Sequence, residues 1–331
     1  MVNRIEWIDA LKGFAIFTVV LGHCITDAIS SNTFPAYLNF LTAFKDFIYS
    51  FHMPLFFTIS GYLFFLTKSY QKYKSKVLDF FLIYLIWCTL TWLSKFLAAS
   101  SVNNPVTIYD LITIFWKPLM VYWYLYSLII MYLVFSLFDI KLITKQNLIL
   151  FLTLSIASHS INTNLGIIVP TVYHMYFFAL GGYLLRFNFQ KFLNKHSILL
   201  LICLLSANCI LYLNEINNIA FINVLKDLLI ANVAIFISIY FFINYKHLSN
   251  NILKTLGFYS LHIYVIHCFF TAGIRILMQK LDFLNIFVYF TTSIILGILV
   301  PIFIGKLCNK NALLNFPFAP LNALKTLFSS K

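Results

Sequence analysis

Long apolar runs separated by short polar stretches recur along the whole chain. A helix needs about 17–25 apolar residues to cross a bilayer. By that measure the pattern predicts ten spans, at 11–29, 47–67, 77–99, 119–138, 147–162, 171–186, 197–213, 224–244, 258–277 and 284–306. The fifth to seventh are the shortest. The stretches between spans are short loops with few prolines, and neither an internal repeat nor a low-complexity linker interrupts the series. The predicted fold class is all-α, a polytopic transmembrane bundle of about ten helices. Residues 1–306 form the membrane domain, and 307–331 follow as a short tail. The first run ends without a small-residue cleavage site, so it is expected to be retained as a span and not removed as a signal.

Charge sets the orientation. With the N-terminus in the cytoplasm, about three in four of the 23 Lys and Arg fall on the cytoplasmic side, as the positive-inside rule favours. An even number of spans then returns the C-terminus to the same side, making 307–331 a cytoplasmic tail. Only 10% of the residues are charged and 61% are hydrophobic, where soluble domains carry about 25% charged. The net charge of +13 is dispersed among short loops, which argues against nucleic acid as a partner. Six cysteines show no CxxC spacing and lie mostly in apolar spans. They are expected to be buried, reduced and without a metal.

This topology gives each polar residue a depth. In DALKGFAIFTVVLGHCITD, residues 9–27, Lys12 and His23 are eleven positions apart. At about 100° per residue they share a helix face, roughly 20° apart. At about 1.5 Å per residue, His23 lies on the order of 16 Å deeper than Lys12. Asp27 follows at i+4, within reach of the imidazole. Lys12 marks the cytoplasmic mouth, either as a snorkelling anchor or as a ligand contact. His52, in FHMPLFFTISGYLF, falls in the outer half of the second span, and Gly61, with Ser60, further along that span marks a close helix contact. Tyr122, Trp123 and Tyr124 fall near the outer surface, as interfacial aromatics or as an acceptor platform. His159, His174 and His262 are expected to be structural or interfacial, whereas His267 lies near mid-membrane. Ionisable groups at such depth normally face a bundle interior or a wet cavity and suggest a functional site.

A histidine beside a carboxylate is suited to general-base work, with the carboxylate orienting the ring and stabilising the imidazolium. GxSxG, HExxH and glycine-rich phosphate loops are missing, which leaves zinc hydrolysis and phosphoryl transfer without support. Acyl transfer to a hydroxyl needs little more than a base and two converging routes. The competing class is a transporter or flippase for a polysaccharide or small molecule. Against it stand the lack of a repeated half and the gathering of polar residues around one histidine.

DALKGFAIFTVVLGH followed by FHMPLFFTISGYLF resembles the membrane-bound acyltransferase-3 family, in particular its sugar O-acetyltransferases similar to fucose 4-O-acetylases. WYLYSLIIMYLVF at 123–135 and SLHIYVIH at 260–267 are similar to weaker, later signatures of the family. The likeness covers about residues 4–306. It implies ten helices in a bacterial cytoplasmic (inner) membrane, acetyl-CoA as the cytoplasmic acyl donor and no metal. It also implies acetylation of a hydroxyl on a surface glycan or its lipid-linked precursor. His23 matches the family's first-helix histidine and is the implied catalytic base, with Asp27 as its partner. Lys12 stands where the family often has arginine. It keeps the charge needed to meet CoA but loses the planar fork. His52, Trp123, Tyr124 and His267 are the expected acceptor-site residues.

Overall fold

The computed structural model describes residues 5–67, 70–160, 165–187 and 220–329. These form twelve α-helices: α1 (Glu6–Ser30), α2 (Leu38–Leu66), α3 (Tyr70–Leu97), α4 (Ile108–Thr113), α5 (Trp123–Ser136), α6 (Lys145–Ser160), α7 (Ile168–Arg186), α8 (Ala220–Asn244), α9 (Asn251–Phe258), α10 (Ser260–Lys280), α11 (Ile286–Cys308) and α12 (Pro320–Ser329). Among the described residues there is no strand, so the expected all-α class holds. Among the described residues, seven helices are long and apolar enough to cross a membrane: α1, α2, α3, α7, α8, α10 and α11. The fourth and fifth expected spans appear as the shorter α5 and α6, of 14 and 16 residues. The seventh, 197–213, lies outside the described residues.

The described chain divides into two compact units. One takes residues 1–15, 46–70 and 130–257; the other takes 16–45, 71–129 and 258–331. In the first, helix pairs meet backbone to backbone through glycine. An ideal Cβ on Gly61 would lie 2.0 Å from the Phe178 carbonyl oxygen, and one on Gly181 2.1 Å from that of Thr58. The reciprocal pair locks α2 onto α7, the helix contact expected at Gly61. Gly13 and Gly257 do the same for the start of α1 and α9, with clashes of 2.0 and 1.8 Å against Leu253 and Asp9. Without a hydrophobic drive between helices in lipid, such close approach supplies packing contact.

The second unit is built around α1, α10 and α11. Asn32, at φ 49°, ends α1 in a left-handed turn, and Thr33 N–H reaches back to the Ala28 carbonyl. This is the Schellman pattern that satisfies terminal carbonyls. Contacts between α1 and α10 advance in the same direction along both helices, from His23 with His267 to Asp27 with Arg275. The two therefore run parallel. Helix α11 runs the other way: Tyr289 meets Cys24, whereas Gly297 faces Val20. The tail folds back onto the same unit. Trp87 Nε1–H donates to the Pro317 carbonyl at 2.9 Å, and Leu321 N–H donates to the Asp79 carboxylate.

Candidate active site

Helices α1 and α10 place His23 opposite His267, with ring centroids 5.2 Å apart and planes inclined by 41°. His23 is half-buried, and His267 is fully buried. One turn back along α10, the Ile263 carbonyl accepts the Nδ1–H of His267 at 2.8 Å. A neutral imidazole that donates from Nδ1 keeps its lone pair on Nε2. Cys268 Sγ lies 3.2 Å from that nitrogen. One ligand atom from each of His23, His267 and Cys268 falls within 4.8 Å of the others. Helical spacing explains why His267 alone of the two α10 histidines joins this group. His262 precedes it by five residues, roughly 140° around the helix, and stacks on Phe318 instead, at 4.2 Å.

Asp27 lies one turn beyond His23. The i+4 spacing points to the imidazole as its partner, yet the donors that reach its carboxylate come from elsewhere. Arg275 Nε–H donates to Oδ2 at 2.8 Å, the Tyr289 hydroxyl lies 3.5 Å from the same oxygen, and Asn103 Nδ2–H reaches Oδ1 at 3.4 Å. A guanidinium has five donors and no acceptor, so a buried one must find oxygen. Arg275 is 3% exposed, and its Nη1–H goes to Gln279 at 2.8 Å. The pair ties the C-terminal end of α1 to α10, one turn past His23 on one helix and two turns past His267 on the other.

The remaining expected site residues fall as follows. Lys12 is half-buried on α1, three turns before His23 on one unbroken helix. His52, in the first unit, is 1% exposed and donates Nδ1–H to the Ile48 carbonyl at 2.8 Å. Trp123 opens α5 and is half-buried. Tyr124 meets the ring of Tyr264 edge-on, centroids 5.5 Å apart. Tyr122 and Tyr264 brace α5 against α10: the Tyr122 hydroxyl donates to the Val265 carbonyl at 3.0 Å, and that of Tyr264 to the Val121 carbonyl at 2.7 Å. His174 donates Nδ1–H to the Pro170 carbonyl at 2.6 Å. The His159 side chain lies outside the described residues.

Three residues of this neighbourhood escaped the sequence reading: Arg275, Tyr289 and Cys268. Arg275 carried a usable signal. It lies within the ninth apolar run, and an ionisable side chain at membrane depth is by default a candidate for function. Tyr289 and Cys268 stand among twenty tyrosines and six cysteines, and no local pattern singles them out.

Two relatives share part of the sequence. Nodulation protein NolL of Mesorhizobium japonicum is 35% identical over 140 residues, covering 40% of this chain and 35% of the relative. Nodulation protein NolL of Sinorhizobium fredii is 29% identical over 219 residues, covering 64% of this chain and 58% of the relative. The chain thus spans about a third and under three-fifths of the curated relatives it matches. No solved structure matches it significantly. The family model for the acyltransferase domain matches residues 5–306, nearly the whole membrane-spanning part, and the chain therefore belongs to the acyltransferase-3 family.

Proposed function

We propose that this protein is a membrane O-acyltransferase that moves an acetyl group from acetyl-CoA to a sugar hydroxyl, with His23 as general base. The observation that carries the reading is the His23–His267 pair inside the second unit of an acyltransferase-family chain. The acceptor is a surface glycan or its lipid-linked precursor, and the enzyme works in the bacterial cytoplasmic (inner) membrane with both termini inside. Acetyl-CoA enters from the cytoplasm. Lys12, on the His23 face and about three turns nearer the entrance, meets its phosphates, and the pantetheine arm follows that face inward.

At mid-membrane the sugar hydroxyl gives its proton to His23 while its oxygen attacks the thioester carbonyl. The C–O bond forms, the C–S bond breaks and CoA leaves as its thiolate, which recovers the proton. His267, fixed by its Nδ1–H on the Ile263 carbonyl, faces the His23 ring with centroids 5.2 Å apart and serves as a positioning residue for the base. Asp27 serves as a positioning residue: through Arg275 it fixes α1 beside α10 and keeps the two rings in register. Trp123 and Tyr124, in the same unit as the histidine pair, contact the acceptor. General bases of this kind contribute about 10²–10⁴-fold.

The test uses membranes containing the full chain, labelled acetyl-CoA and the glycan fraction. His23→Ala should lower label transfer by about 10²-fold or more while the protein stays in the membrane in normal amount. Wild-type transfer from a well-expressed His23→Ala variant would overturn the assignment. Loss of one acetyl unit from surface glycans of cells lacking the chain, read by mass spectrometry, identifies the acceptor and separates this reading from a flippase.

A further inference from the structure

We propose that His23, His267 and Cys268 form a three-ligand site for a borderline-soft divalent cation of the Zn²⁺ class, and that filling it switches acyl transfer off. The inhibitory half rests on His23 being the general base; the binding half does not.

The donor set is two imidazole nitrogens and one sulfur, which suits Zn²⁺ and its neighbours and disfavours Mg²⁺ or Ca²⁺. Zinc binds nitrogen at about 2.0–2.1 Å and sulfur at about 2.3 Å. A tetrahedral arrangement with those lengths puts neighbouring donors roughly 3.3–3.6 Å apart. His267 Nε2 and Cys268 Sγ are already 3.2 Å apart, and no pair among the three ligand atoms exceeds 4.8 Å. A rotamer adjustment of about an ångström closes the set. Three protein ligands leave a fourth position open, as in zinc sites that bind water or substrate.

The surroundings are preorganised for coordination. Metal-binding histidines usually donate their other ring N–H to a carbonyl or carboxylate, which fixes the tautomer and aims the lone pair at the ion. His267 has that arrangement, with Nδ1–H on the Ile263 carbonyl at 2.8 Å. The ligands come from two helices, and the Asp27–Arg275 ion pair at 2.8 Å clamps those helices about one turn away from His23. Rigid elements hold a ligand set better than loops do.

Binding breaks the Cys268 S–H bond and forms a metal–sulfur bond, with the proton released to water. The metal also takes one His23 lone pair. A nitrogen that coordinates a cation cannot accept the acceptor's proton, so occupancy and turnover exclude each other. The site would make the enzyme sensitive to free Zn²⁺.

Metal-free full-length protein in detergent micelles, titrated with Co²⁺, reads binding without any activity. The expected result is one Co²⁺ per chain, with a thiolate-to-cobalt charge-transfer band in the near ultraviolet and tetrahedral d–d bands in the visible, both removed by added Zn²⁺. Cys268→Ser should abolish the charge-transfer band, and it and His267→Gln should each weaken Zn²⁺ binding by at least the roughly 10–100-fold seen on losing an outer-shell partner. The Cys268→Ser protein keeps size and shape at the position and serves as the folded control. A wild-type protein without the charge-transfer band, or a band that survives Cys268→Ser, overturns the site. In the acyl-transfer assay, the ratio of rates with and without Zn²⁺ should fall steeply for wild type and stay near one for Cys268→Ser. Equal Zn²⁺ sensitivity of the two overturns the inhibitory role. Absence of any acyl transfer, with the cobalt spectrum intact, would instead count against the proposed function alone.

Discussion

The Asp27–Arg275 pair is the sharpest test available at the scale of single residues. Its side chains are 17% and 3% exposed, so each charge depends on the other for compensation. Breaking one half of a buried pair typically costs about 3–5 kcal/mol, because the survivor is left uncompensated, whereas replacing both halves can be close to neutral. Arg275→Gln should therefore lower thermal stability in detergent by that amount, and adding Asp27→Asn to it should recover a large part. A double-mutant cycle with no coupling would show that the pair does not hold α1 to α10. The pair also marks how far single residues could be understood before the fold was known. His23 stood out because a histidine in an apolar helix, eleven positions after a lysine, has few bland explanations. Asp27 stood out for the same reason, but its partner did not. Local spacing offers only neighbours one turn away, and Arg275 is 248 positions distant.

Helix–helix contact decides the next scale, and glycine shows where it is tightest. A Cβ on Gly61 would lie 2.0 Å from the Phe178 carbonyl oxygen, an atom that cannot rotate away, whereas one on Gly273 would meet nothing within 4 Å. Gly61→Ala must push α2 and α7 apart. It should cost about 1–3 kcal/mol, as overpacking does, visible as a lower melting temperature and a broadened size-exclusion profile. Gly273→Ala, on an open stretch of α10, should be neutral or stabilising by up to about 1 kcal/mol from helix propensity alone. Equal effects from the two substitutions would remove backbone approach as the cause. Most elements were legible because their apolar runs match bilayer thickness. α2 is the exception in extent, starting at Leu38 where the expected span starts at 47. Lys45 and Asp46 dilute the apolar pattern, but helix propensity does not require it, so the helix continues through both. The shorter length of α5 and α6, 14 and 16 residues, has a similar origin: hydrophobicity marks a run that avoids water, and helix ends are set by local hydrogen bonds that hydropathy does not see.

At the scale of the molecule, the C-terminal tail makes contacts that composition does not announce. Residues 307–331 follow the last apolar run, carry Lys310 and Lys325 and lie beyond the family match at 5–306; their sequence marks them only as a short tail. In the fold they close one face of the second unit. Phe318 is 6% exposed. Its ring sits 5.3 Å from that of Trp87 and 4.2 Å from that of His262, centroid to centroid. Both His262 ring nitrogens are buried there without a hydrogen-bond partner among the described residues. An unbonded buried imidazole is costly, and it is tolerated only while the surrounding packing is favourable enough to offset it. Phe318 supplies much of that packing. Phe318→Ala should therefore cost about 3–5 kcal/mol, the range for deleting a buried aromatic, and should open the second unit around Trp87 without touching the His23–His267 pair directly. Trp87 emission reports the opening, since loss of Phe318 lets water or detergent reach an indole that is now buried. A loose tail would give no change in melting temperature and no shift in emission. A docked one predicts both, together with a similar loss when the chain is truncated after Cys308, because that cut removes Phe318 along with the Pro317 and Leu321 hydrogen bonds.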